Sequence, residues 1–306
     1  MRILKPKFEI LNQNPYEGLY SVFEMIKTAG QTCYDSESAK TPIEFTNLMV
    51  KLGHGAMLEH GTVYLTYKCK WEGDDFVEKY QNNPYSRVSY DRVDEIVDDD
   101  DWLQSIFYIT TNYRVIVENG WDKDLKFISD PTDYHEKRVT VRFTTQIAIS
   151  REYNRHRADS IAEQSTRYCN YSKDKYDGQV SVVRPTWVGE ILGDTPKELK
   201  VNLKDLCQNI YLGDDYGEWD ALHYWLFGNL AAEYSYLNML RLGRTAQEAR
   251  TVLALDTRTE LVHTAFVSDW KHFFDLRALG TTGKPHPDAK ILAEPLMEEF
   301  KRLKLI

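Results

Sequence analysis

Residues 137–150, KRVTVRFTTQIAIS, run straight into 151–157, REYNRHR, and then into 158–168, ADSIAEQSTRY. Val139, Val141 and Phe143 alternate with Thr140, Arg142 and Thr144, the period-two pattern of a half-buried strand. The strand is read over Lys137–Ser150, feeding directly into the polar segment. Arg151, Arg155, Arg157 and Arg167 put four guanidinium forks within seventeen residues, although the chain as a whole carries 47 Asp+Glu against 38 Lys+Arg, a net charge of −9. Such forks bind phosphate and carboxylate in bidentate fashion, so the cluster at a strand end reads as a site for an anionic ligand. The competing reading is a solvated basic face paired with acidic segments elsewhere; rigid placement on a strand favours the site.

Outward from this stretch the chain reads as interspersed strands and helices. Residues 3–11 are extended. Helices are predicted over 16–28 and after Thr41-Pro42, where Thr caps, Pro suits the first turn and Gly53 ends the run. Thr62 to Trp71 reads as a strand. From 73 to 136 the signal weakens, with six acids in Asp94–Trp102, and the segment is read as an insertion. After a short strand at VSVVRP come helices at about 196–212 and 216–241, then one capped by Thr245 that runs through Ala254. LVHTAFV is strand-like, a short helix reaches Arg277, and a GKPHP turn precedes a terminal amphipathic helix. Length alone fits one large domain or two smaller ones.

Composition sets the class. With 42 % hydrophobic and 28 % charged residues the chain is globular rather than disordered. The most apolar run, Tyr224–Leu240, is interrupted by Asn229, Glu233, Ser235 and Asn238, which excludes a membrane span. The N-terminal residues lack the apolar core of a signal peptide, and Cys33, Cys69, Cys169 and Cys207 form no CxxC pair, so a reducing, cytoplasmic compartment is expected. Neither GxGxxG nor GxxxxGK[ST] occurs among the 16 glycines, so Rossmann and P-loop nucleotide sites are unsupported.

Arg155-His156-Arg157, seven residues and Ser165, extended by Glu163, Arg167 and Tyr168, resemble the signature of flavin-dependent thymidylate synthases. Gly53-His54 with Glu59-His60, Ala249-Arg250 before Val252-Leu253, and Phe273–Arg277 resemble further segments of that family. The resemblance implies an α+β fold, a central, mainly antiparallel sheet flanked by helices, in one domain over 1–306 enlarged near 73–136 and 170–240. It implies reductive methylation of dUMP to dTMP, with methylenetetrahydrofolate as carbon donor, FAD as hydride carrier and NADPH as reductant, in a homotetramer with shared active sites. It implies Arg277 and Ser165 as catalytic residues. Glu152, Arg155, Glu163, Gln164, Ser165, Thr166, Arg167, Arg250 and Arg277 would bind the nucleotide, and Ala56, Glu59, Arg155, His156, Arg157, Glu163 and His272 the flavin. On this reading Arg167 and Arg250 neutralise the phosphate, and Arg277 favours the uracil N3/O4 anion that makes C5 nucleophilic. The sequence departs from the family pattern at Cys33, Ala56, Glu152 and Ala162, where serine, threonine, glutamine and asparagine are usual. Phe266, Ser268 and His272 stand where polar residues surround the flavin, and the tail after Arg277 lacks the usual AQ-E-IR pattern. These changes motivate an alternative substrate, another pyrimidine nucleotide such as dCMP, methylated or hydroxymethylated.

A non-catalytic nucleic-acid patch built on the same arginines with Tyr153 and Tyr168 is opposed by the net charge of −9. His54, Glu59 and His60 lack the spacing of a metal site, and no metal is expected. Cys169 is not read as a nucleophile, His263 is read as a core histidine, and Trp219, Leu222, Trp225 and Leu226 as packing.

Overall fold

A computed structural model describes residues 1–69, 74–93, 104–193, 198–200 and 219–306. In chain order it contains β1 (Arg2–Leu4), β2 (Lys7–Leu11), α1 (Leu19–Tyr34), α2 (Pro42–Leu52), α3 (Gly55–Leu58), β3 (Thr62–Cys69), α4 (Asp75–Gln81), β4 (Arg87–Val93), β5 (Gln104–Asn112) and α5 (Tyr113–Asn119). There follow β6 (Arg138–Gln146), α6 (Ile147–Tyr153), β7 (Ser160–Glu163), β8 (Ser181–Val183), α7 (Thr186–Leu192), β9 (Glu198–Lys200), α8 (Ala221–Arg241), α9 (Ala246–Ala249), β10 (Arg258–Phe266), α10 (Val267–Phe274) and α11 (Pro287–Arg302).

The central sheet is antiparallel throughout, in the order β2-β6-β10-β7. β6 and β10 pair along their full length, from Arg138 opposite Phe266 to Gln146 opposite Arg258. Alternation sends Val141, Phe143 and Leu261 into one core with Tyr153, Trp270, Phe273, Leu296 and Phe300, which seats α10 and α11 on that face. Val262 and Ala162 point the other way and pack with Val22, Ile26 and Ala29 of α1. Gly61 lets α1 approach: a Cβ there would lie 2.6 Å from Val22 Cγ1 and 2.8 Å from Ile26 Cδ1.

Several sequence expectations shift. The strand from 137 stops at Gln146, because Ile149 and Tyr153 fall four apart and bury on one helical face, so Arg151 and Glu152 lie on α6 and RHR on the turn after it. The stretch after 73 contributes β4 and β5, which join β3 in a separate antiparallel sheet, β3-β5-β4. Glu198–Lys200, expected as helix, is a strand antiparallel to β1, which also pairs in parallel with β8. The rest of that expected helix and the acidic run at 94–101 lie outside the described residues. The helix expected from 216 begins at Ala221 with Asp220 as its cap, and the one after Thr245 is a single turn that tightens to 3-10 geometry at Arg250–Val252. α1 extends beyond the expected 28 to Tyr34, and α10 runs on as a π turn over Asp275–Leu279 that carries Arg277. No helix among the described residues is long and apolar enough to cross a membrane.

Candidate active site

The motif wraps around β7, the edge strand of the central sheet. A cleft of about 460 Å³ opens beside it, lined by Ala56 of α3 and Glu59 at its C-cap, His156 and Arg157 from the turn after α6, and Ile161 and Glu163 from β7. Asn154, Asp159 and Tyr85 complete its polar wall. Arg138 ties the walls together: one terminal nitrogen donates to the Glu59 carbonyl at 3.0 Å, the other to Ser160 Oγ at 2.9 Å. Burial lowers its guanidinium to about 10, which leaves it charged at neutral pH.

Arg277 is the most constrained cation of the group. Its Nη1 donates to Glu152 Oε2 at 2.8 Å, its Nη2 to the Glu152 carbonyl at 2.7 Å, and its Nε to His156 Nε2 at 3.3 Å. A guanidinium has five N–H bonds, so one on each terminal nitrogen stays available. His156 is buried, and desolvation, reinforced by the fields of His263, Arg277 and His272, pulls it down to about 4. It is therefore neutral near pH 7 and accepts from Arg277 through Nε2, with its proton on Nδ1. His272 lies 5.8 Å from His156, ring to ring.

Glu163 is fixed by three donors: Ser150 Oγ at 2.6 Å and Thr259 Oγ1 at 3.1 Å on Oε1, and Asn154 Nδ2 at 3.1 Å on Oε2. Glu59 pairs with Arg114. Asp159 accepts from buried His263 Nε2 at 2.6 Å. Arg155 and Arg157 are both exposed and, among the described residues, have no ion pair or side-chain hydrogen bond. The carboxylates around the cleft are thus already engaged while these two cations are not.

The remaining nominated residues form a second group on the loop after β7. Ser165 N donates to the Cys33 carbonyl at the end of α1 at 2.9 Å. Thr166 Oγ1 accepts from Arg250 Nη1 at 3.1 Å, and Arg167 Nε donates to Gln247 at 3.1 Å. Tyr168 packs edge-on to Tyr34, whose hydroxyl meets His54 Nδ1 at 2.7 Å. Gln164 is buried under Arg258.

Two positions aligned to the flavin surroundings face elsewhere. Phe266 is 5 % exposed, with the guanidinium groups of Arg87 at 4.5 Å and Arg138 at 5.4 Å from its ring centre, so its ring is packed away from the cleft. Ala162 packs toward α1, because strand alternation gives the cleft to its neighbours Ile161 and Glu163. Its lost amide therefore removes nothing from the cleft.

Asn154 and Asp159 join the cleft without being part of the family signature; their adjacency to RHR in sequence is the signal that points to them. Tyr85, far away in sequence, carried none. His54, Glu59 and His60 go to three separate partners, Tyr34, Arg114 and Thr264. Among the described residues no group of three His, Cys, Asp or Glu side chains could hold a metal ion. Burial raises the Cys169 thiol, the opposite of an activated nucleophile. A larger cleft of about 1210 Å³ beside α1 contains none of the nominated residues, and its Arg142, Lys175 and Arg258 are paired with Glu9, Asp35 and Glu260.

An arginine-rich turn with two unpaired guanidinium groups beside a third held by Glu152 and His156 is an arrangement able to hold an anionic ligand. Residues 135–303, more than half of the chain, match the family described as thymidylate synthase complementing protein. The chain belongs to that family, the flavin-dependent thymidylate synthases. No curated protein matches it. Two solved structures of PolB, a UMP/dUMP methylase from Streptomyces cacaoi, are similar to it. The complex with 5-Br dUMP has a TM-score of 0.42 at 14 % identity over 99 % of this chain and 93 % of that one. The complex with 5-Br UMP has 0.40 at 13 %, over 98 % and 91 %.

The donor set fits a flavin dinucleotide. Arg157 and neutral His156 line the cleft, while Arg155, exposed and adjacent to them in sequence, is not among its lining residues; the two unpaired guanidinium forks suit a pyrophosphate.

Proposed function

We propose that the protein catalyses the reductive methylation of dUMP to dTMP, with methylenetetrahydrofolate as carbon donor, FAD as hydride carrier and NADPH as reductant. The observation that carries this reading is Arg277, pinned by Glu152 and His156 with two N–H bonds to spare beside unpaired Arg155 and Arg157. FAD, when bound, supplies the hydride. Arg155, His156 and Arg157 would hold it, together with Ala56, Glu59 and His272. Arg277 presents its two free N–H bonds to the uracil edge, where fixed positive charge favours the N3/O4 anion and raises the nucleophilicity of C5. Glu152 serves by holding that guanidinium, since its carboxylate is already engaged. Arg167, Arg250, Thr166 and Ser165 take the nucleotide phosphate, Gln164 backs the loop, and Glu163 orients the ligands.

A homotetramer in which each site draws on more than one subunit is part of the same reading. The one-domain reading over 1–306 and a cytoplasmic location belong to the same proposal. The test is the visible spectrum of purified protein titrated with FAD and then dUMP, followed by mass spectrometry of the product. A flavin spectrum perturbed by dUMP and a product carrying one added methyl group are expected. Protein that binds no flavin, or that turns over dCMP and leaves dUMP untouched, overturns the reading.

A further inference from the structure

Tyr85 stands on the wall of the cleft, on the turn between α4 and β4. That turn is tightly held. Asn83 Oδ1 accepts from Tyr85 N at 2.9 Å and from Ser86 Oγ at 3.3 Å. Ser86 Oγ also meets buried Thr111 Oγ1 at 2.8 Å, which fastens the turn to β5. Arg87 Nη1 donates to the carbonyls of Pro84 and Ser86, each at 3.1 Å. Pro84 adds its own fixed φ.

The ring itself is left alone. It is 53 % exposed, and among the described residues its hydroxyl has no hydrogen bond and its face no aromatic neighbour. Isolated exposed tyrosines are ordinary, but this turn is held by five hydrogen bonds, three of them to its backbone, while the ring lines a cleft holding Arg157, His156 and Glu59. With His156 it is one of two rings on that wall. A rigid turn presenting a bare aromatic face costs a planar ligand little ordering entropy.

We propose that Tyr85 is a stacking platform for a planar heteroaromatic ring bound in this cleft, the isoalloxazine of FAD or the pterin of the folate. This rests on the function proposed above and gives the segment after residue 73 a part in ligand binding. The face of the ring matters and its hydroxyl does not, so Tyr85→Phe should behave as wild type.

The experiment is titration of FAD into wild-type protein, Tyr85→Phe and Tyr85→Ala, read by flavin absorbance and fluorescence, then titration of folate into each FAD-loaded protein. The exposed position predicts unchanged thermal midpoints for both variants. About tenfold weaker FAD binding in Tyr85→Ala, with brighter bound flavin and wild-type behaviour in Tyr85→Phe, supports the platform and assigns the flavin. Unchanged FAD binding with about tenfold weaker folate binding supports it and assigns the pterin. If wild type binds FAD and folate and Tyr85→Ala binds both as well, the platform is wrong and the proposed function stands. If wild type binds neither, both fall.

Discussion

Arg277 grips Glu152 twice, through the carboxylate at 2.8 Å and through the backbone carbonyl at 2.7 Å. The pair joins the last turn of α6 to the π turn after α10, so the guanidinium plane is set by backbone on both sides. Arg277→Ala should lower kcat by about 10²–10³ while FAD occupancy stays near wild type, the pattern of a donor that acts on developing charge. Glu152→Gln keeps an acceptor and should lose far less than Glu152→Ala. Steady-state kinetics beside flavin absorbance reads both; wild-type kcat in Arg277→Ala would falsify its role.

Acid should unfold this protein through its histidines. Burial depresses His60 to about 3, and His156 is held at about 4, both from an ordinary 6.5. The unfolded chain then binds more protons than the folded one at acidic pH. Stability from these two groups is full above about pH 6.5 and is lost as pH falls through 4 toward 3. Thermal midpoints recorded from pH 8 to 4 should be flat at first and then fall, and the fall should be shallower in His156→Asn. A midpoint that rises on acidification contradicts the assignment.

Gly61→Ala should destabilise by about 1–3 kcal/mol, because its Cβ would meet Val22 and Ile26, both on a helix packed against the central sheet. Urea denaturation gives the figure, and an unchanged midpoint would show that α1 yields without cost.

If sites are shared between subunits, Arg277→Ala and Arg250→Ala, each inactive alone, should complement each other. Equal amounts unfolded and refolded together should regain about a quarter of wild-type activity, the fraction of random pairings that bring both intact arginines to one site. No regained activity places both arginines in a single chain's site.

Local chemistry was legible from the sequence alone. Thr41-Pro42 caps α2 with Glu44 closing a capping box, and Thr245 does the same with Glu248, because those bonds reach only three residues. The alternation of β6 marked one face of the central sheet, and the RHR-to-Ser165 spacing marked the family. What tertiary structure alone decided are pairings across long separations. β3 took β5 rather than the central sheet, Arg277 found Glu152 at 125 residues' distance, and Phe266 was claimed by Arg87 and Arg138. Tyr85 reached the cleft only through a turn fastened to β5. A sequence pattern records which face of an element is apolar or charged. Which distant face meets it is settled by close packing and by the need of every buried polar group for a partner.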